Sequence, residues 1–97
     1  MNTKIVIATT LLRRWGIEAS KVKQVLAKDD HQLDERINII VKIHKLVYKK
    51  LGNSKAIKAF MAEPNHEAEW NGRQPRLMIA SGSIDDLRDV LSFVEPK

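Results

Sequence analysis

Residues 33–51 read LDERINIIVKIHKLVYKKL, and this stretch decides the fold class. Leu33, Ile37, Ile40, His44, Val47 and Leu51 follow one another at intervals of 4, 3, 4, 3 and 4 residues, which puts all six on one seam of a helix. Ile39, Ile43 and Leu46 widen the stripe, so the helix is expected to meet neighbours on more than one side. Lys49 and Lys50 sit where a helix ends in partial negative charge, and Gly52 stops it. The seam carries more apolar positions than one flank of a small monomer uses. Ile37, Ile40, His44 and Val47 are therefore expected to pair two copies of the chain, with complete cover by the chain's own helices as the alternative.

Shorter helical segments flank this one. Thr3 to Trp15 places Ile5, Ala8, Leu12 and Trp15 on one side and ends at Gly16. Its Ile5-Val6-Ile7 and Thr9-Thr10 are also compatible with a strand. Glu18 to Ala27 buries Val22, Val25 and Leu26, and Lys28-Asp29-Asp30 breaks it. Asn53 or Ser54 caps a helix from Lys55 to about Ala62. Pro75 suits the first position of a short helix to Ala80, because its missing N–H has no partner there in any case. Gly82 ends that helix, and Ser83 with Asp86 starts the last one, Ile84 to Val94. Nothing alternates like a sheet for more than a few residues. The expectation is an all-α domain of about six helices around the long central one.

The bulk numbers fit a small soluble domain: 97 residues, 43% apolar and 30% charged, with a net charge of +5. Residues 1–58 hold 13 Lys and Arg against 5 Asp and Glu, whereas residues 59–97 hold 4 against 7. A basic first part suits an anionic partner such as nucleic acid, or simply solvates helix faces. There is no cysteine, which removes disulfides, thiolate metal sites and cysteine nucleophiles. Ile5-Val6-Ile7-Ala8 is too short to span a membrane, so a cytoplasmic protein without membrane contact is expected. His31, His44 and His66 show no ligand spacing, although His66 stands near Glu63, Glu67 and Glu69. No metal or cofactor is expected. No nucleophile elbow or phosphate loop occurs, and the chain reads as a non-enzyme.

The loop from Trp70 to Arg76 is the candidate contact region, with Trp70, Asn71, Gly72, Arg73 and Arg76 as its residues. Tryptophan and arginine are typical interface anchors. Equally, Trp70 folds back onto the core, and Arg73 braces loop carbonyls of its own chain. Gly72 and Pro75 make the segment rigid in either case.

Taken in order, several short pieces resemble the Xre/MbcA/ParS-like antitoxins. They are Trp15-Gly16-Ile17, Leu33-Asp34-Glu35-Arg36-Ile37 with Ile43-His44-Lys45, Phe60-Met61 with Pro64-Asn65, Gly72-Arg73 with Pro75, and Ser81-Gly82 with Leu87 to Leu91. The resemblance implies a truncated helix-turn-helix-like part (residues 1–32) and a long helix with a toxin-binding helical domain (residues 33–97). It implies a homodimer whose partner is a toxin of the RES type, an enzyme that consumes or transfers from NAD. Such a protein neutralises the toxin sterically. Three departures accompany it. Only a few residues separate Ala27 from Leu33, too few for a helix that reads bases, so DNA binding is expected to be weak or absent. Six residues part Asn65 from Gly72, about two more than the pattern has. The chain stops at Lys97 without the longer tail of many members. The alternative readings are a DNA-binding autoregulator using the basic first part, and a helical dimerisation or adaptor module without a toxin.

Overall fold

The computed structural model describes residues 3–26 and 30–96, and the side chains of all of these except 30 and 31. Among them are six helices: α1 (Thr3–Arg14), α2 (Ala19–Val25), α3 (Asp30–Leu51), α4 (Ser54–Ala62), α5 (Pro75–Ala80) and α6 (Ile84–Val94). The fold is all-α, as expected, with no strand among the described residues. The expected ends at Ala27, Lys28 and Asp29 lie outside the described residues.

Local chemistry sets most of the boundaries. The β-branched start of α1 is helical because Ala8, Leu11 and Leu12 then face the core together. Its end is a Schellman turn. Gly16 takes φ +90°, its N–H reaches the Arg13 carbonyl at 3.0 Å, and the Ile17 N–H reaches Leu12 at 3.1 Å. The turn drives Trp15 and Ile17 inward on either side of the glycine, and both are buried. Asn53 caps α4 by accepting the Ala56 N–H at 2.8 Å. Ser83 caps α6 by accepting that of Asp86 at 3.3 Å. Pro75 occupies the first turn of α5.

The 22-residue α3 is the axis of the domain. It packs against α1, α4 and α6, while α5 touches α2, α4 and α6. It begins one turn earlier than the apolar seam alone indicates, at Asp30 rather than Leu33. Ile37, Ile40 and Val47 are 2%, 0% and 3% exposed within a single chain. Those three side chains of the expected pairing seam are thus covered by the protein's own helices, which is the alternative weighed for it.

His44, the fourth residue of that seam, is half-buried beside Tyr48, with ring centroids 5.7 Å apart. Its Nδ1 is buried without a hydrogen-bond partner among the described residues. Burial, and after it the positive charge of Arg14, holds the imidazole below its ordinary pKa of 6.5. The unfolded chain therefore binds this proton more readily than the folded one. The stability tied to neutral His44 is present above pH 6.5 and is lost as pH falls through the lowered folded value. Thermal melts at descending pH are expected to show a decline below that point that His44→Gln reduces. An identical decline in both proteins would contradict the assignment.

One buried polar side chain stitches distant segments together. Arg36 on α3 is 8% exposed. Its Nη1 donates to the carbonyls of Val25 at 3.0 Å and Gly82 at 2.8 Å, and its Nη2 donates to Gln32 Oε1 at 3.1 Å. It thus joins the end of α2 to the turn between α5 and α6. On the surface, Arg88 of α6 reaches Glu35 of α3 at 2.7 Å, an exposed pair that adds little to stability.

Candidate partner-binding surface

The segment between α4 and α5 is closed by its own hydrogen bonds. Asn65 begins it with an Asx turn, its Oδ1 accepting the Glu67 N–H at 2.9 Å. The Glu67 carbonyl then accepts from Trp70 at 3.0 Å and Asn71 at 3.1 Å, forming one helical turn. This turn takes up most of the residues between Asn65 and Gly72. Asn71 (φ +51°) and Gly72 (φ +78°) are both left-handed and reverse the chain. Gly72 donates to the Asn65 carbonyl at 2.8 Å, and Asn65 donates to that of Arg73 at 3.0 Å.

Trp70 lies beneath this loop rather than on it. Its ring is 1% exposed, with the Phe60 ring at 5.7 Å and the Phe93 ring at 5.0 Å, both edge to face. Of the two readings of this tryptophan, the geometry matches the core one, and the ring presents no face to a partner. Arg73 is exposed but engaged: Nε donates to the Trp70 carbonyl at 2.9 Å and Nη2 to that of Glu69 at 3.0 Å. Its guanidinium carbon lies 5.8 Å from the Phe93 ring centroid. It braces the loop while remaining at the surface. Arg73→Ala is accordingly expected to lower the melting temperature by about 5 °C, the loss of ~1 kcal/mol for partly solvated hydrogen bonds. An unchanged melting curve would show that the brace contributes nothing.

Beyond the loop, Pro75, Met78 and Ile79 are buried. Leu77, on the opposite side of this short helix, is 57% exposed. Gly72, Arg73, Gln74, Leu77, Met78 and Asp86 line an open groove of about 390 Å³. Asp86 is held on its far side by Ser81, whose hydroxyl donates to its carboxylate at 2.6 Å and accepts the Ser83 N–H at 3.1 Å.

The structure thus brings together Gly72 and Arg73 of the expected contact residues, with Asn71 exposed at the adjacent turn. Trp70 and Arg76 are placed elsewhere. Arg76 turns toward the α1–α2 connection, where its Nη1 would stand 3.3 Å from a Cβ at Gly16. Its Nε is buried without a partner among the described residues. Leu77 and Asp86 are additions that the sequence reading missed. A signal for Leu77 was present. With Pro75 opening a helix of about six residues and Met78 and Ile79 turned inward, a leucine two positions after the proline has no core to enter.

Among the described residues no cluster of histidine, aspartate and glutamate is arranged to hold a metal ion. No helix there is long and apolar enough to cross a membrane. No protein-family model matches the chain, and no curated protein or solved structure is similar to it.

Proposed function

We propose that this chain is an antitoxin-like protein that binds a RES-type, NAD-consuming toxin and neutralises it sterically through the α5 corner. The observation that carries this reading is Leu77, the most exposed large apolar side chain among the described residues, set on α5 directly after a loop that hydrogen bonds have already ordered. A partner meeting such a surface loses little conformational freedom in organising it. The residues of the antitoxin resemblance, Pro64-Asn65, Gly72-Arg73, Pro75 and Ser81-Gly82, supply the turns of this same corner. The groove is open and bordered by Arg73 and Asp86, a form suited to a protein surface with an apolar centre and a charged rim.

Co-expression with a RES-type enzyme from the same genome tests the reading. A stable complex and recovery of cellular NAD are expected. Separate elution of the two chains with continued NAD loss would overturn it. Within such a complex, Leu77→Asp is expected to weaken binding roughly thirtyfold, from ~2 kcal/mol of lost side-chain burial. Its melting temperature should stay unchanged, because the leucine is mostly solvated in the free protein. Retained affinity would place the contact elsewhere.

A further inference from the structure

A second apolar opening, of about 480 Å³, runs between α1 and α2 and shares no residue with the α5 groove. One wall is a single row of α1, with Ile5, Thr9 and Arg13 at four-residue spacing. The other is the row Ala19, Val22 and Lys23 of α2 with Leu26 just beyond its end. The floor is almost wholly hydrocarbon, yet among the described residues the only charges on the walls are the two cations, Arg13 and Lys23. Arg13 is held at one end by donating to the Ile17 carbonyl at 3.1 Å. Residues 3–26 hold five basic side chains against a single acid, Glu18.

The geometry points to a docking groove for a short, acidic amphipathic helix of a partner protein. Two helical rows side by side form a trough into which a third helix lays its apolar stripe. From Ile5 to Arg13 the wall rises ~12 Å, so it accommodates about two turns of such a helix. Aliphatic side chains one turn apart would lie against Ile5, Val22 and Leu26, and carboxylates on the helix shoulders would face Arg13 and Lys23. A nucleic acid would satisfy the cations but leave the hydrocarbon floor against a phosphate backbone. A second copy of this chain fits poorly for a different reason. Its own acidic amphipathic helix, α6, has Leu87 and Val90 fully buried in the core and has no apolar stripe to offer. Pairing α1 with α1 would bring like charges together.

The test uses a capped synthetic peptide of about 15 residues, long enough to populate a helix. Leucines at three- and four-residue spacing form its stripe, and glutamates form its flanks. A second peptide carries lysines in place of the glutamates, and a short DNA duplex serves as the third probe. Titrations of the whole protein are followed through the methyl resonances of Ile5, Val22 and Leu26. Saturable shifts at these methyls with the glutamate peptide are expected, with affinity at least ~10-fold above that of the lysine peptide. Lys23→Glu, at an exposed position, should cut the glutamate peptide's affinity about tenfold and lower the melting temperature only slightly, through the acid it places at the end of α2. The proposal is overturned by absent or unsaturable shifts, by equal affinity for both peptides, or by tighter binding of the duplex at the same methyls. Shifts of these methyls with protein concentration alone would overturn it too, by assigning the groove to self-association.

Discussion

Replacing Trp70 by alanine is expected to cost the fold about 4 kcal/mol, the range for a large aromatic removed from a core. In a domain of this size that lowers the melting temperature by roughly 20 °C. The ring is buried between Phe60 of α4 and Phe93 of α6, so its loss opens a cavity where two helices meet the loop. The damage should also spread, because the Trp70 backbone is one of the two carbonyl anchors of Arg73. Trp70→Phe keeps much of the hydrocarbon and part of the edge-to-face packing, and is expected to lose only ~1–2 kcal/mol. Thermal and urea denaturation of the two variants check the ordering. An alanine variant as stable as the parent would mean that the tryptophan acts at a surface after all.

The second large effect belongs to Arg36. Arg36→Met preserves most of the side-chain stem but removes the fork that bridges Val25 and Gly82. Each bond involves a charged donor, and the buried Val25 carbonyl loses that donor, so a loss of about 3 kcal/mol is expected. The guanidinium also has a buried Nε with no partner among the described residues, which offsets part of its benefit. Arg36→Lys separates charge from shape. A single ammonium cannot reproduce the planar fork, and this variant should recover less than half of the lost stability. Equal stability of the lysine variant and the parent would mean that charge alone is required.

Much of this architecture was legible in residue spacing. The intervals from Leu33 to Leu51 identify α3, and Asn53, Pro75, Gly82 and Ser83 mark helix ends because each has a specific backbone task. The start of α3 before Leu33 was not legible, because its first turn carries polar residues that leave no apolar periodicity to read. What spacing could not give is the owner of each covering surface. An apolar seam such as Ile37, Ile40 and Val47 looks the same whether a second copy or the chain's own helices fill it. Trp70 posed the same problem, since Phe60 and Phe93 are brought to it only by the tertiary fold. Arg36 lies three residues from Leu33 and four from Ile40, and so on the buried face. That position announces an arginine needing acceptors, but the carbonyls of Val25 and Gly82 cannot be guessed from the sequence. The α5 corner was half legible: Gly72 and Arg73 stand in it, while Leu77 replaces Trp70 as its apolar element.

The ties from α3 to the far end of the chain have a consequence for synthesis on the ribosome. Arg36 waits for a carbonyl at Gly82, and Glu35 waits for Arg88. When the central helix leaves the exit tunnel, the covering helix α6 has not yet emerged. The nascent chain must therefore carry part of its isoleucine-rich strip uncovered until α6 emerges. Any product released early, by premature termination or by a nuclease cutting the message, keeps that strip exposed. Such fragments are substrates for chaperones and proteases, and the cell would hold either the finished protein or very little of it.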